Sequence, residues 1–284
     1  MKILVTGANG FIGRAAIGLL VNQGHELWAM AKEDKGLFKD WPLAGFIAQD
    51  IRLPFTLDGK FDLVFHLAAY NITHVGQSNT DLYQQVNVEG TRHVIRAVKT
   101  TRFVFMSSAK MYAKQAGDID EQTPLDIKDA YTQSKWEAEE ICRQLLPAPQ
   151  LIIFRAANII GPGQPPKALV PVLLSKALAG EPLEIFGPRG SYLQPLDIRD
   201  LMSAFNSVIA DQSLHGIFNL AGPLALRLDA VVEQIVKITA SSAKVLYNND
   251  EPMPVLRMSS QRFSSFTGWQ PKINLRETLT ACLP

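Results

Sequence analysis

Cysteine is scarce in this chain. Only Cys142 and Cys282 occur among its 284 residues, and they lie far apart in the sequence. Two isolated cysteines provide neither a disulfide framework nor the closely spaced ligand pairs of a zinc site. We therefore expect no structural disulfide and no bound metal, and we expect the protein to reside in a reducing cytoplasm.

Long apolar runs and an excess of one charge are also missing. No stretch approaches the roughly 18 apolar residues of a transmembrane helix, and the apolar start Met1–Val5 is too short for a signal peptide. The 28 Lys and Arg residues nearly balance 27 Asp and Glu residues, which leaves a net charge of +1. This balance excludes a global attraction to nucleic acid or to an anionic membrane. The composition, with 47% hydrophobic residues, is that of an ordinary globular chain.

Short apolar segments that favour strands alternate with segments of helical periodicity over the first half of the chain. The predicted strands are 2–5, 26–31, 61–67, 102–106 and 151–155, and the predicted helices are 11–21, 86–98 and 131–146. This alternation is typical of a parallel sheet that is covered by helices. We therefore predict an α/β fold with a Rossmann-like, doubly wound parallel sheet.

A glycine-rich turn, TGANGFIG, follows the first predicted strand and opens the first predicted helix. Gly7 permits the tight turn, Gly10 a close approach of the backbone to a pyrophosphate, and Gly13 close packing of helix on strand. The helix N-terminus also presents free N–H groups and a positive dipole to phosphate groups. The predicted dinucleotide-binding residues of this turn are Gly7, Asn9, Gly10, Phe11, Ile12 and Gly13.

The end of the second predicted strand discriminates between NAD and NADP. Where an acidic residue would bind the ribose 2′-hydroxyl of NAD, the sequence has Ala31, and Lys32 follows it. A cation at this place accommodates the 2′-phosphate of NADP, whereas Glu33 or Asp34 turned inward would favour NAD. We expect NAD or NADP as the cofactor, and Lys32 favours NADP.

A tyrosine and a lysine stand four residues apart at the start of the predicted helix 131–146. Tyr131 and Lys135 therefore share one helix face, where the ammonium group would lower the pKa of the phenol. Ser108 follows the strand 102–106, at the end of a parallel strand where ligands bind. Each residue alone is common on surfaces or in turns, but together they predict proton transfer to or from an alcohol oxygen.

These motifs occur in the order found in extended short-chain dehydrogenases/reductases, and the chain resembles the NAD-dependent epimerase/dehydratase family of sugar-nucleotide enzymes. The resemblance covers nearly the whole chain. It rests on TGANGFIG (6–13), Asp50-Ile51, His66-Leu67-Ala68-Ala69, Asn87 in VNVEGT, SSAKMY (107–112), Tyr131 with Lys135, FRAAN (154–158) with Gly161-Pro162-Gly163, and GWQP (268–271).

The resemblance implies a mechanism. Tyr131 as a phenolate would take the proton of a sugar hydroxyl while hydride passes to the nicotinamide; Lys135 would hold the nicotinamide ribose, and Ser108 would orient the hydroxyl. An epimerase would return the hydride to the other face of the ketone, and a reductase would transfer it from NADPH. The resemblance further implies that Asn158 touches the substrate and that Asp50, Ile51, Leu67, Ala68, Ala69 and Asn87 line the cofactor.

Two segments depart from the family pattern. SSAKMY lacks the Thr-Asp-Glu carboxylates with which dehydratases of the family expel a hydroxyl, and Lys110 stands there as a substrate-binding or solvated residue. Leu193 replaces an arginine that grips the nucleotide diphosphate, so Arg189 or Arg257 is the candidate replacement. Tyr70, after the HLAA segment, is a further candidate either to face the substrate or to pack in a loop.

The predicted organisation has a dinucleotide-binding domain and a smaller lobe. Residues 1–157 form the dinucleotide-binding domain, to which 191–222 return, and 158–190 with 223–284 form a mixed α/β C-terminal substrate lobe. In the lobe region we predict helices at 169–178, 201–209, 228–238 and 275–282 and strands at 183–186, 216–220 and 244–247. Family members often dimerise through helices corresponding to 86–99 and 131–146, which makes a homodimer an expectation.

The leading hypothesis is an NAD(P)-dependent epimerase or keto-reductase of a sugar nucleotide or a related hydroxyl or keto compound. A first alternative is an NADPH-dependent reductase of a non-nucleotide carbonyl, which Lys32 and Leu193 favour. A second is a dinucleotide-sensing protein without turnover, and the intact Ser108, Tyr131 and Lys135 argue against it. We expect His66 and Trp269 to be structural.

Overall fold

The chain folds into two units. In the computed structural model, residues 1–71, 79–113, 117–188, 191–249 and 256–284 are described. The first unit comprises Met1–Tyr112, Pro124–Arg155 and Val208–Phe218, and the second comprises Ala113–Thr123, Ala156–Ser207 and Asn219–Pro284.

Strands and helices alternate along the described residues. The strands are β1 (Lys2–Thr6), β2 (Glu26–Ala31), β3 (Gly45–Ala48), β4 (Lys60–His66), β5 (Lys99–Ser108), β6 (Gly117–Ile119), β7 (Leu151–Ala156), β8 (Ile159–Ile160), β9 (Leu183–Pro188), β10 (Tyr192–Leu193), β11 (Leu196–Asp197), β12 (Gly216–Leu220), β13 (Leu226–Arg227), β14 (Val245–Asn249) and β15 (Leu256–Met258). The α-helices are α1 (Phe11–Leu20), α2 (Thr80–Leu82), α3 (Gly90–Ala97), α4 (Ala130–Leu145), α5 (Leu169–Leu178), α6 (Ile198–Ala210), α7 (Leu228–Ile238), α8 (Gln261–Thr267) and α9 (Leu275–Ala281). A π-helix spans Tyr83–Glu89, and 3₁₀ turns span Ala109–Met111 and Ala148–Gln150.

The first unit is built on a seven-stranded sheet with the order β12-β7-β5-β4-β1-β2-β3. β1 pairs in parallel with β2 on one side and with β4 on the other. The chain runs outward from β1 to β3 and then crosses back to β4, so the strand order reverses between β1 and β4. In open parallel sheets, ligands bind at the carboxyl ends of the strands at such a reversal.

The sheet is buried on both faces. Consecutive residues Phe103, Val104 and Phe105 are each at most 2% exposed, although neighbouring side chains of a strand point to opposite faces. On α1 the buried residues recur every three or four positions, as expected for a helix with one face on the core. This double coverage explains why the strands of the first unit are near-continuous apolar runs.

The second unit consists of short strand pairs and helices around its own core. Three pairs are parallel, β8 with β11, β9 with β14 and β6 with β15, and β10 with β13 is antiparallel. The core includes Leu173, Leu183, Val232, Ile235 and Leu279, all at most 2% exposed. Trp269 is also buried, and its Nε1 donates to Ser203 Oγ at 2.8 Å, which confirms the expected structural role.

Most predicted elements are confirmed, and β2, α5, β12 and α7 have the predicted bounds. The single helix predicted at 86–98 is wrong, because Tyr83–Glu89 is a π-helix and only Gly90–Ala97 is α-helical. β3, which is only four residues long and lies at the sheet edge, was not predicted. In the described part of the chain, no helix has the length and hydropathy needed to span a bilayer.

Candidate active site

The glycine-rich turn lies between the end of β1 and the start of α1. Gly7 has a φ of +69°, and a Cβ there would come within 2.6 Å of the backbone nitrogen of Ala68. A Cβ on Gly13 would lie 2.1 Å from the carbonyl oxygen of Gly7. Both positions therefore require glycine. A Cβ on Gly10 would meet only that same oxygen, at 3.1 Å, so Gly10 is open on its remaining side.

The N-terminus of α1 has the features of a phosphate site. Gly10 is its N-cap, no side chain of the described residues caps it, and its first turn carries no acidic residue. Its backbone N–H groups are therefore available to an anion. Phe11 and Ile12 form the first turn of this helix.

Asn9 carries a buried acceptor for which the described residues offer no donor. Its Nδ2 donates to the carbonyl of Glu33 at 2.8 Å, whereas its Oδ1 is buried without a hydrogen-bond partner. Buried polar atoms are nearly always satisfied, so this oxygen fits a donor supplied by a ligand. A dinucleotide has hydroxyl groups of this kind, and the open face of Gly10 leaves room for its phosphates. The residues present thus fit the predicted cofactor.

The end of β2 and the segment after β3 bring three charges together. Lys32 Nζ lies 3.9 Å from Asp50 Oδ2, and the lysine side chain is 69% exposed. Arg52 donates hydrogen bonds to the same Oδ2 from Nη2 at 2.6 Å and from Nε at 3.0 Å. These bonds lower the pKa of Asp50. Ala31, at the strand end, is nearly buried and has no carboxylate to offer a ribose. The sequence analysis missed Arg52, although its position two residues after Asp50 is a signal for this pairing.

Ile51 belongs to the core of the first unit. It is 7% exposed, and a Cβ added to Gly90 would lie 2.8 Å from its Cδ1. Its carbonyl oxygen is 2.8 Å from Nδ1 of His93. The structure therefore places Ile51 as a contact between the segment after β3 and α3.

A buried histidine links the glycine turn to α3. Thr91 Oγ1 donates to the carbonyl of Asn87 at 2.6 Å, so it must accept from His66 Nε2, which lies 3.0 Å away. His66 Nδ1 is then the acceptor for Thr6 Oγ1 at 2.8 Å. Burial and the charge of Lys135 lower the pKa of His66 to about 3, so the ring is neutral. The expected structural role of His66 is confirmed by these contacts.

The same network positions the loop after β4. Thr6 Oγ1 accepts hydrogen bonds from the backbone nitrogens of Leu67 and Ala68, both at 3.2 Å. Ala68 is also the residue that Gly7 approaches most closely. The predicted cofactor-lining residues 67–69 are therefore held directly against the glycine turn, and Ala69 is exposed there.

Asn87 lies in the π-helix and binds the protein through both ends of its amide. Its Oδ1 accepts from Tyr70 N at 2.8 Å, and its Nδ2 donates to Tyr70 O at 3.0 Å and to Ser134 Oγ at 2.9 Å. All three of these contacts are to other residues of the protein, and the predicted role of Asn87 in lining the cofactor stays a prediction. Asn87 instead ties the loop at Tyr70 to α4, and the sequence analysis missed its partner Ser134.

Ser108 and Tyr131 meet at the carboxyl end of β5. Ser108 is 7% exposed, and its hydroxyl acts to lower the pKa of the Tyr131 phenol. A capping box between Asp129 and Thr132 begins α4 immediately before Tyr131. The predicted pair is thus brought together by one strand end and one capped helix start.

Lys135 lies one helical turn after Tyr131 and is buried. Its Nζ donates to the carbonyl of Met106 at 2.9 Å and lies 5.1 Å from the ring centroid of Phe105. Burial lowers the pKa of Lys135 to about 8. Lys135 is therefore placed against the end of β5, beside the Ser108 segment.

Burial dominates the acidity of the Tyr131 phenol in this arrangement. Burial raises the pKa of Tyr131, and the hydrogen bond from Ser108 is what opposes the rise. Tyr83 and Asp129 also raise it. The Lys135 ammonium donates to the Met106 carbonyl, and its predicted effect on the phenol stays a prediction.

Aromatic rings and a second lysine surround Tyr131. Tyr83 of the π-helix packs edge-on against it at 5.8 Å, and Tyr70 packs against Tyr83 at 5.0 Å between centroids. Lys110 Nζ lies 5.6 Å from the centroid of the Tyr131 ring. Tyr70 and Lys110, both predicted to bind substrate, are therefore in the neighbourhood of the phenol. The sequence analysis missed Tyr83, which is 3% exposed, because a π-helix has no recognisable hydrophobic period.

A buried ion pair holds α4 against β7. Arg155 donates to Glu139 through Nε at 3.0 Å and Nη2 at 2.8 Å, and its Nη1 donates to Tyr112 Oη at 3.1 Å. The side chains of Arg155 and Glu139 are 5% and 0% exposed. This contact joins the helix of Tyr131, a central strand and the end of the 3₁₀ turn after Ser108.

The substrate residues predicted in the second unit are less enclosed. Asn158 is exposed, and its carbonyl accepts from Leu196 N at 2.9 Å. Arg257 donates through Nε to Asp118 at 2.8 Å, and both side chains are more than 60% exposed. Leu193 pairs with Leu226 between β10 and β13. Arg189 lies outside the described residues.

Neither a metal cluster nor a disulfide is present among the described residues. They bring together no group of three or more His, Cys, Asp or Glu side chains suited to a metal ion. Cys142 is buried, Cys282 is half-buried, and they are not bonded to each other.

Comparison with known proteins identifies a matching family model and several relatives of similar length. The model described as the NAD dependent epimerase/dehydratase family matches residues 3–221. The low-salt glycan biosynthesis protein Agl12 of Haloferax volcanii is 24% identical over 304 residues, which cover 100% of this chain and 97% of that protein. The GDP-6-deoxy-D-mannose reductase of Pseudomonas aeruginosa is 24% identical over 311 residues, covering 99% and 96%.

A solved structure has the same fold. The crystal structure of UDP-glucuronic acid 4-epimerase from Bacillus cereus, in complex with UDP-glucuronic acid and NAD, superposes with a TM-score of 0.85 at 23% identity. The superposition covers 99% of this chain and 97% of that one. Together with the parallel, reversing sheet, this likeness confirms the predicted Rossmann-like α/β fold.

Proposed function

The chain belongs to the NAD dependent epimerase/dehydratase family, and from this premise we propose that it is an NAD(P)-dependent epimerase or keto-reductase of a sugar nucleotide. The observation that carries the proposal is that Ser108, at the carboxyl end of β5, and Tyr131, at the start of α4, come together, so that the Ser108 hydroxyl acts on the phenol. Lys135 lies one turn behind, and the glycine turn opens α1 in the same unit. An acid/base pair and a dinucleotide site are what hydride transfer at a carbinol requires.

The cofactor site is assigned to the first unit. The N-terminus of α1 with Gly7, Gly10 and Gly13 would hold the pyrophosphate, and the Asn9 Oδ1 acceptor would receive a ligand hydroxyl. Asp50, Ile51 and residues 67–69 would line the adenosine and nicotinamide portions, as the resemblance implies. When bound, the nicotinamide supplies hydride acceptance and donation.

Proton transfer is assigned to Tyr131 and Ser108. Tyr131 Oη would take the proton of the substrate hydroxyl, and the hydrogen bond from Ser108 favours the phenolate that accepts it. Lys135, whose ammonium group donates to the Met106 carbonyl, would bind the nicotinamide ribose. Tyr83 packs edge-on against the Tyr131 ring, with the ring centroids 5.8 Å apart.

Lys32 favours NADP over NAD in this proposal. It is the exposed cation at the end of β2, and its ion pair with Asp50, at 3.9 Å, is long enough to yield to a 2′-phosphate. The residue before it, Ala31, offers no carboxylate to a ribose hydroxyl.

The substrate class rests on the family and on relatives. The names of two relatives specify nucleotide sugars, a GDP-sugar for the Pseudomonas reductase and UDP-glucuronic acid for the Bacillus epimerase. In the first unit, Tyr70, Ser108 and Lys110 would contact the sugar. Elimination is disfavoured because SSAKMY has no carboxylate.

Leu193 supports a second candidate function. Without an arginine at that place, a buried diphosphate lacks its usual partner, and Arg257 already donates to Asp118. A non-nucleotide carbonyl would need no such cation. We keep an NADPH-dependent reductase of this kind as the alternative.

A homodimer would use the outer face of the π-helix, α3 and α4. A groove there is lined by residues that include Val88, Arg92, Trp136 and Glu140. An aromatic ring flanked by side chains of both charge signs is suited to self-association. Sedimentation of the purified chain tests this proposal.

Single-turnover hydride transfer tests the proposed reaction. Protein loaded with oxidised or reduced cofactor is mixed with UDP-, dTDP-, GDP- and CDP-sugars, and reduced nicotinamide is followed by its absorbance. An epimerase produces reduced cofactor that is consumed again, and a keto-reductase consumes NADPH in a net reaction. Cofactor binding without hydride transfer to or from any sugar nucleotide, but with reduction of simple ketones, would favour the alternative.

A further inference from the structure

A second lysine, besides Lys135, lies beside the catalytic phenol. Lys110 Nζ is 5.6 Å from the centroid of the Tyr131 ring. The two ammonium groups have different surroundings, because Lys135 is 5% exposed and donates to the Met106 carbonyl, whereas Lys110 is exposed as a residue. Lys110 therefore sits where a substrate that reaches Tyr131 would meet it.

The backbone of Lys110 is fixed relative to Ser108. Ser108 Oγ accepts from Lys110 N at 3.3 Å and so caps the 3₁₀ turn Ala109–Met111. Met111 is fully buried, and Tyr112 bridges to Leu125 at the end of the turn. The stem of Lys110 thus starts from a rigid point two residues after the serine that would hold the reacting hydroxyl.

The ammonium group of Lys110 carries a charge in partly dehydrated surroundings. Desolvation lowers its pKa, and the attraction of Asp129 opposes this shift. Asp129 is itself engaged, because its Oδ1 accepts from Thr132 N at 2.8 Å as the N-cap of α4. Besides Asp129, the groups that act on Tyr131, namely Ser108 and Tyr83, are neutral. An anionic ligand group beside the Tyr131 ring would therefore be attracted by the Lys110 ammonium group.

We propose that Lys110 is a specificity-determining residue that binds a carboxylate on the substrate carbon next to the reacting carbinol. When Ser108 and Tyr131 both bind the oxygen of the reacting carbinol, the substituent on the neighbouring substrate carbon comes to lie beside the Tyr131 ring. The ammonium group of Lys110, 5.6 Å from the centroid of that ring, would then contact the substituent. A hydroxymethyl group in the same place would gain no charge pairing. The proposed substrate is thus a nucleotide sugar whose sugar is a sugar acid. The inference rests on the proposed function and narrows its substrate class from sugar nucleotides in general to those with a carboxylate.

Binding calorimetry on cofactor-loaded protein tests the inference. The probes are UDP-glucuronic acid and UDP-glucose, together with glucuronic acid 1-phosphate and glucose 1-phosphate, which remove any dependence on the base. We expect the wild type to bind the acid of each pair at least about tenfold more tightly. Lys110→Met should abolish the preference, and Lys110→Arg should retain it.

Lys128→Met is the matched control. Lys128 is 72% exposed and paired with Asp126, so its loss removes one positive charge near the start of α4 without altering Tyr131. It should keep the full preference for the acid. Lys110→Gln is measured alongside Lys110→Met, and the melting temperature of each variant shows that it is folded.

The outcomes separate the inference from its premise. If the wild type binds UDP-glucose and UDP-glucuronic acid equally, or if Lys110→Met and Lys110→Gln retain the preference, Lys110 is not the determinant and the proposed function stands. If the wild type binds its dinucleotide but none of the four probes, the sugar-nucleotide function fails, and the inference about Lys110 fails with it.

Discussion

The two units of the chain differ in how firmly they hold their candidate residues. In the first unit, Ser108, Tyr131 and Lys135 lie on one strand end and one helix start, and each has a protein partner. In the second unit, Asn158 is exposed and Arg257 takes part in an exposed ion pair. The candidate residues of the first unit lie on or near a seven-stranded sheet, whereas the second unit has only two-stranded sheets among its described residues.

This difference matches what each set of residues is proposed to do. Proton and hydride transfer require reacting groups that are held to within a fraction of an ångström, which buried networks achieve. Recognition of one substrate among many depends on shape and charge, which exposed residues on irregular elements can supply. The comparison predicts that substitutions in the first unit affect chemistry and stability strongly, and that substitutions in the second affect selectivity.

Tyr131→Phe should give the largest effect. Loss of the proton-accepting oxygen should reduce turnover by about 10³-fold, while the affinity for the dinucleotide stays nearly unchanged because the glycine turn is intact. Steady-state kinetics and cofactor titration measure the two quantities. Turnover at the wild-type level would show that the proton-transfer assignment is wrong.

Arg155→Met and Arg257→Met compare a buried and an exposed ion pair directly. Removing Arg155 takes from the fully buried Glu139 its buried ion-pair partner and leaves the half-exposed Arg143, and should lower the free energy of unfolding by about 3 kcal/mol. Removing Arg257 should leave the stability unchanged, because its pair with Asp118 lies in solvent. Denaturant unfolding measures both variants. Equal losses would contradict the contrast between the units.

The buried His66 should make the stability of the fold depend on pH. Its folded pKa is lowered to about 3 from 6.5, so below pH 6.5 the unfolded state binds a proton that the folded state does not. The stabilising contribution is complete above pH 6.5 and decreases as the pH falls towards 3, by about 2 kcal/mol at pH 5.

Unfolding of His66→Gln at pH 7 and pH 5 checks this expectation. The variant should lose the part of the acid destabilisation that the histidine supplies, and His215→Gln, at an exposed site, is the control for loss of a histidine. An unchanged difference between the two pH values in His66→Gln would show that the ring is not held neutral by the fold.

Lys32→Ala should give the smallest of these effects. Lys32 lies in the first unit but is 69% exposed, so it resembles the residues of the second unit in its surroundings. Loss of its charge should weaken NADP binding by about tenfold and leave NAD binding nearly unchanged. Equal effects on NAD and NADP in a titration would remove the argument for a 2′-phosphate contact.

The sequence was sufficient to predict those elements that depend on residues close together in the chain. The strand β1, the turn at Gly7 and Gly10 and the strand β2 follow from residues that are adjacent in the chain, and each was predicted at or near its observed bounds. The pairing of Tyr131 with Ser108 was also predictable, because strand ends and helix starts meet at one edge of a parallel sheet.

Contacts between residues far apart in the chain, and the irregular helix, could not be predicted from the sequence. The π-helix shifts the register of Tyr83 and Asn87, and no periodicity distinguishes it from an α-helix. The pairing of Arg155 with Glu139 depends on how α4 lies on β7. Lys135 was placed correctly on its helix face, but its direction towards the Met106 carbonyl is set by packing around β5.

A thermal-shift titration tests the central claim most directly. NAD and NADP are compared first, and UDP, dTDP, GDP and CDP are then added over the better cofactor. We predict stabilisation by the dinucleotide, about 2.7 kcal/mol at a hundredfold excess over its dissociation constant, and a further shift with one nucleoside diphosphate. The absence of any shift with either dinucleotide would contradict the account, and a cofactor shift alone would favour a non-nucleotide carbonyl substrate.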